Sequence, residues 1–336
     1  MSAARALLRV SARPAIRLPR TIALVRNFNS TPVTPAVPGP ITAQGPPPAA
    51  PLPAGSPIAQ YRANQKLAFA TKKRFWKEVH VVETADGYQI HLDTRPLKTP
   101  EKRPLLIPSS KPLLAQAIAV EWSNLRSAAD AARSHRTPLT MMASRAIDMA
   151  ASESEGNVAS RSDSVLNLIR YLDTDTVLCY APTTPEYLRE EGRPMLRELQ
   201  IEAAKPILQH LCSKVWPGLE IWAVDGDEVG IVGKGQPPAT RETLLAWMRG
   251  LDVWRFVGFE RCVQATKSFV IGARMTEEWG PNGAQQWGVE EGAEAASIEV
   301  NYQTRQWGEV EDTHDVEKED VKRQLGAGWL FCAHTK

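Results

Sequence analysis

No apolar run in the 336-residue sequence reaches the roughly 18 to 20 residues that a membrane-spanning helix needs, so membrane insertion is not expected. The four cysteines, Cys179, Cys212, Cys262 and Cys332, include no C-x-x-C pair, which excludes a zinc ribbon or a thioredoxin motif; a disulfide framework is not expected. The six histidines form no H-E-x-x-H pair, and only His314-Asp315 with Glu317 suggests a ligand cluster. A solvated acidic helix start accounts for that cluster better than a metal site does, so no metal is expected. Acid is missing altogether from the first 77 residues. Twelve bases, from Arg5 to Lys77, precede the first carboxylate, Glu78.

Signatures of catalysis are equally scarce. Gly230-Ile231-Val232-Gly233-Lys234-Gly235 fails as a phosphate loop, because Glu228 stands where the first glycine is needed and Gly235 where Ser or Thr should follow Lys234. No G-x-S-x-G elbow or Rossmann fingerprint is present. Asp173 and Asp175 are the one candidate carboxylate pair, and they sit where a helix ends in a tight turn, which favours a structural role over an acid or base role.

What is present is strongly segmented. Residues 1–30 are rich in Arg, Ala, Ser and Leu, with Arg5, Arg9 and Arg13 on one helical face, as in a mitochondrial transit peptide. Arg26-Asn27-Phe28 resembles a matrix-protease cleavage site. Residues 31–60 hold ten prolines and no charge, the composition of a disordered linker. Cleavage near Phe28 removes six arginines and leaves 34 bases against 38 acids. An acidic mature chain opposes nucleic-acid binding.

The folded remainder divides by period into a β-rich amino-terminal domain, 61–130, and a helical carboxyl-terminal domain, 131–336, an α+β architecture. Alternation from Phe75 to Leu92 around Ala85-Asp86-Gly87 predicts a hairpin, Asp93-Thr94-Arg95-Pro96 a turn, and Leu105-Leu106-Ile107 a short strand. Ser110 is expected to cap a helix carrying Leu114, Ile118, Trp122 and Leu125, with Trp122 in the core. Ser160-Arg161-Ser162-Asp163 reads as a capping box for a helix through Leu172. Further helices are expected over 187–214, 240–251, 253–267, 293–306 and 315–324. Ile221-Trp222-Ala223-Val224 reads as a lone strand or connector, and Trp329-Leu330-Phe331-Cys332 as a small strand. From Trp287 to Asp320 eleven acids face only Arg305 and Lys318, with Tyr302 and Trp307 among them. That composition suits either a protein-binding surface or a solvated helical face.

Several strings together resemble one family. Arg74-Phe75-Trp76-Lys77, Leu92-Asp93-Thr94-Arg95-Pro96-Leu97-Lys98-Thr99-Pro100, Ala117-Ile118-Ala119-Val120-Glu121-Trp122, Pro138-Leu139-Thr140, Arg145-Ala146-Ile147-Asp148, Tyr171-Leu172-Asp173-Thr174-Asp175-Thr176 and Tyr302-Gln303-Thr304-Arg305-Gln306-Trp307-Gly308 with His314-Asp315 occur in order. They are similar to those of the mitochondrial assembly chaperone that handles the alpha subunit of the ATP synthase catalytic head. The resemblance implies a non-enzymatic, ATP-independent matrix chaperone without a cofactor, which binds the unassembled alpha subunit and prevents its aggregation. It places the family's important acidic residue on Glu299, with Tyr302, Trp307 and Asp315 beside it as partner-binding residues. Asp312 stands where many members have Trp, a departure from the pattern. The alternative is a matrix enzyme using Asp173 or Asp175 as acid or base.

Amino-terminal sequencing of the mature protein is expected to find a start near Phe28. A mature chain that keeps Arg5 to Arg26 overturns the address reading.

Overall fold

The period-2 alternation before residue 92 does give a hairpin. The computed structural model describes residues 74–189, 192–228 and 235–334, and in it β1 (Val79–Thr84) pairs antiparallel with β2 (Gly87–Leu92). The expected transit peptide, the linker and most of the loop around Gly233 lie outside the described residues. Gly87 has φ of 140° and packs against the Ile107 backbone, so no side chain fits there. β3 (Arg95–Pro96) and β4 (Leu106–Ile107) both pair with β2, which is therefore central, whereas the edge strand β1 is largely exposed.

Helix α1 (Pro112–Ser123) lies across this sheet, burying Leu114, Ala115 and Ile118 against Trp76, Ile90, Leu92, Leu105 and Ile107. Ser110 is not its cap. Lys111 occupies that position and makes no capping bond, because Pro112 itself presets the first turn. Trp122 is half-buried rather than central. It meets the buried Trp76, 2% exposed, edge-on at 5.3 Å, and its indole N–H is held at the rim by Thr140 Oγ1 at 2.8 Å.

α2 (Pro138–Ser154) and α3 (Ala159–Leu168) follow, the latter tightening into a 3-10 turn over Ile169–Asp173. The expected capping box is not formed. Ser160 is inside α3, and Asn157 Oδ1 accepts the Ala159 N–H at 3.2 Å instead. Tyr187 belongs to a single 3-10 turn, and α4 (Leu196–His210) starts only after Pro194, which disfavours helix in the residue before it. β5 (Cys179–Tyr180) pairs in parallel with β6 (Val224–Asp225), so the run ending at Val224 is not a lone strand. Next come α5 (Pro238–Gly250), α6 (Val253–Thr266) and α7 (Phe269–Glu278). The single helix expected over 293–306 is two, α8 (Val289–Ala296) and α9 (Ile298–Trp307), divided at Ser297. The carboxyl end is not a strand. Trp329 to Cys332 is the last turn of α10 (His314–Cys332), apolar because it is enclosed on most sides.

Two apolar cores result. One lies among the helices around Leu172, Leu178, Phe259, Phe269 and Ile271. The other lies under the sheet and draws Met142, Ala143 and Ala146 from α2, Val257 from α6, and Ala327 and Phe331 from α10. Helices α6 and α10 form the wall between them and cross very closely. A Cβ on Gly258 would stand 2.7 Å from Cys332 Sγ and 2.8 Å from the Gly328 carbonyl, and one on Gly328 would overlap Cys262 Sγ. Lys111, 6% exposed, ties α1 to this wall: its ammonium donates to the carbonyls of Phe331 at 2.6 Å and Ala333 at 2.9 Å. Those are carbonyls that the end of α10 leaves without helical partners, and the cation also meets the negative end of the helix dipole.

Gly328→Ala is expected to lower unfolding stability by about 1–3 kcal/mol through overpacking. Gly326→Ala, on the same helix with nothing within 4 Å of its Cβ, is expected to raise it by roughly 0.5–1 kcal/mol through helix propensity. Urea or thermal unfolding of the pair checks the crossing, and equal effects would overturn it.

Candidate functional site

The turn carrying Asp173 and Asp175 is a clamp. Asp175 is fully buried; its Oδ1 accepts the Val177 N–H at 2.9 Å and its Oδ2 the Val270 N–H at 3.0 Å, with the Ser268 hydroxyl and the Phe269 N–H also bonded. It thus closes the amino terminus of α7, where Ser268 Oγ caps Ile271 N–H at 3.1 Å. Thr176 completes the clamp on the other side of the corner, its N–H donating to Lys267 O at 3.3 Å and its hydroxyl to Thr266 O at 3.0 Å. Lys267 takes φ of 58°, the left-handed residue that turns α6 into α7. Burial pushes the Asp175 carboxyl up to about 6, against the bonds that favour its charged form. Asp173 is ion-paired to Arg241 of α5. Both carboxylates are thus engaged in holding elements together.

That corner is the floor of a cleft whose walls are the α8–α9 break and the first turns of α10. Thr176, Lys267, Ile298, Glu299, His314 and Lys318 all line it. At about 230 Å³ it is below the ~300 to 1,000 Å³ of ordinary small-molecule sites, and its lining mixes the charged Lys267, Glu299, Glu317 and Lys318 with the apolar Ile298, Val300 and Val321. Glu299 is exposed at its edge and accepts from Gln303 Nε2 at 3.0 Å.

On another side of α9, Tyr302 and Trp307 border a groove of about 790 Å³ with Pro194, Met195, Leu199 and Arg305. Tyr302 is half-buried and its hydroxyl reaches Met195 Sδ at 3.8 Å; Trp307 is 77% exposed. Arg197 sets the start of α4 on this side. It clamps Asp225 of β6 in two bonds of 2.7 and 2.6 Å and holds that carboxyl down at about 2. No residue of α9 is fully buried, so the helix presents side chains on both flanks.

Of the residues singled out from the sequence, Glu299, Tyr302 and Trp307 thus share α9 but serve two grooves. Asp315 is exposed in the first turn of α10 and lines neither. Ala295 does not share a helical face with Ile298 and Tyr302 despite the three- and four-residue spacing, because Ser297 breaks the helix between Ala295 and Ile298. Met195, Leu199 and Arg305 were not anticipated as lining residues. The first two come from a segment a hundred residues earlier, and nothing in the local sequence pairs that segment with α9. Among the described residues no group of three or more His, Cys, Asp or Glu is placed to hold a metal, and His314 instead accepts the Val310 N–H at Nδ1, 3.1 Å.

Residues 73–212 match a family described as ATP12 chaperone protein. The mitochondrial protein atp12 of Schizosaccharomyces pombe is 34% identical over 270 residues, covering 80% of this chain and 85% of its own length. Mitochondrial ATP12 of Saccharomyces cerevisiae is 32% identical over 276 residues, covering 76% and 82%. Among solved structures, Atp12 from Paracoccus denitrificans superposes with a TM-score of 0.58 at 23% identity, over 78% of this chain and 98% of that one. The last likeness is one of fold.

Asp175→Ala is expected to cost about 1–3 kcal/mol, since it strands buried N–H groups of α7. The sign of the pH dependence follows from a folded-state value of about 6 against an ordinary 3.8. Between them the folded chain holds the extra proton, so this group's contribution to stability falls as pH rises through that window and levels off above it. Unfolding midpoints across the window are expected to show this slope in the wild type and lose it in Asp175→Asn; an unchanged slope overturns the assignment.

Proposed function

The chain belongs to the ATP12 chaperone family, and from that premise we propose that it serves ATP synthase assembly by binding the unassembled alpha subunit of the catalytic head. It keeps that subunit from aggregating and releases it when its true neighbour competes. Both yeast relatives are named mitochondrial, and with the arginine-rich, acid-free first 30 residues this supports action in the matrix. The role is physical: no bond is made or broken, and neither ATP nor another cofactor is invoked.

The observation that carries the reading is Trp307, a large aromatic left 77% exposed at the end of a helix with no buried residue and flanked by carboxylates. A free subunit exposes the apolar face that its neighbour later covers, and such a face drives aggregation. Trp307 and Tyr302 supply apolar contact, Glu299 and Asp315 supply charge, and the combination binds without forming a permanent core. The engagement of Asp173 with Arg241 and of Asp175 with backbone N–H groups supports structural roles for both in preference to acid or base roles.

Isolated alpha subunit warmed with a near-equimolar amount of the chaperone is expected to stay in solution. Glu299→Lys and Trp307→Ala are each expected to weaken binding about tenfold or more. Both side chains are exposed, so the melting temperature should hardly move. Variants that bind like the wild type overturn the site; a wild type that ignores the alpha subunit overturns the partner.

A further inference from the structure

We propose that the turn joining α9 to α10 selects the client segment, and that it takes a stretch in which apolar residues are flanked by Lys or Arg. This rests on the preceding reading only for the identity of the client.

Three large apolar side chains stand out of this turn within ten residues: Trp307, Val310 at 58% exposed and Val316 at 58% exposed. A slack loop would not hold them, but this one is closed by its own bonds. The Val310 carbonyl accepts the N–H groups of Thr313 at 3.3 Å and His314 at 3.2 Å, and the Val310 N–H returns a bond to His314 Nδ1 at 3.1 Å. Gly308, at φ of 88°, provides the left-handed step out of α9. The apolar points are therefore presented on a formed turn, at little ordering cost to binding.

The charge around them fixes the kind of occupant. From Gly308 to Asp320 there are seven acids and one base, Lys318. Glu309, Glu311, Asp312, Asp315, Glu317 and Glu319 are all exposed, and none forms an ion pair among the described residues. Such a rim repels an acidic segment and repels the same turn of a second copy, which disfavours self-association through these apolar residues. It attracts a cationic segment and leaves the apolar centre to be desolvated by that segment's own apolar residues. The exposed Leu113 and Val120 of α1 offer a contrast: the residues between them on that face are Gln116 and Ala117, with no charge to choose an occupant.

The test uses the full chain and two short probe peptides sharing one apolar centre, one flanked by lysines and one by glutamates, together with peptides tiling the alpha subunit. The lysine-flanked probe is expected to bind at least about tenfold tighter at low salt, with the gap closing as salt screens the rim. Val310→Ser with Val316→Ser is expected to weaken that probe about tenfold or more while Leu113→Ser leaves it unchanged. Glu309→Gln, Glu311→Gln and Asp312→Asn together should abolish the preference for lysine. Equal binding of the two probes overturns the proposal, as does wild-type binding by the double serine variant. If the double variant still holds the alpha subunit while Glu299→Lys does not, the turn is not the selector and the client reading stands. If the lysine probe binds through the turn but the alpha subunit does not bind at all, the client reading fails and the chemistry of the turn stands.

Discussion

The close crossing of α6 and α10 is the contact on which the rest of the molecule depends. Gly258 and Gly328 let the two backbones meet, with the thiols of Cys262 and Cys332 and the Cβ of Phe331 packed against the crossing. Because the helices lie so close, each can present one side to the sheet core, through Val257, Ala327 and Phe331, and another to the helical core, through Cys262, Val263 and Leu325. Moving them apart by the width of a methyl group would open both cores at once. Lys111 then fixes where α1, and with it the sheet, stands against the end of α10. Its burial lowers the pKa of the ammonium through desolvation, a cost that bonds to two otherwise unpartnered carbonyls offset. The sheet and the helices are therefore parts of one packing problem, although the periodicity of the sequence divides them cleanly.

Much of the fold was legible because the local signals agree with it. The hairpin, the helices with a polar face and the α+β order all follow from period and turn chemistry. The two misread elements, α7 and the end of α10, share one cause, which is that burial on several sides leaves apolar runs without a helical period. Helix α7, with Phe269, Val270, Ile271, Gly272, Ala273 and Met275 all buried, opens on an unbroken apolar run that shows no period in its first turns and was not anticipated. The last turn of α10 looked like a strand for the same reason. The two missed caps have a different origin: a serine before a helix competes with whatever else the backbone can use, and here Pro112 and Asn157 served instead.

The strings that carried the family resemblance turn out to be halves of tertiary contacts. Arg74 bonds the Ser123 carbonyl at the end of α1, and Asp93 accepts from the N–H groups of Lys77 and Glu78. Glu121 accepts from the N–H groups of Leu139 and Thr140, so the segment ending in Glu121-Trp122 closes the start of Pro138-Leu139-Thr140. Thr99 donates to Asp148, and Arg145 reaches Glu260 of α6. A sequence displays such residues as short motifs but does not display their pairing, because the partners stand tens of residues away. Thr176 and Asp175 were readable as a turn, for example, whereas their grip on the α6–α7 corner was not.

The candidate site differs from these contacts in kind. The clamp residues are bonded to the backbone and tolerate little change, while the side chains of Glu299, Trp307, Val310 and Asp315 stand exposed to solvent. A ten-residue helix such as α9 is marginal on its own. It persists here because Ile298 and Tyr302 rest on neighbouring elements and Gly308 ends it with a bond to the Thr304 carbonyl. Such a helix can offer aromatic and acidic side chains to a client without drawing them into its own core. Its support comes from the Asp175 clamp below the Glu299 cleft and from α4, which packs against it and whose Leu199 lines the Trp307 groove. Reversible holding follows from that division: the charge and the exposed apolar area are free to be covered, and the energy that shapes them is already spent in bonds that a client does not touch.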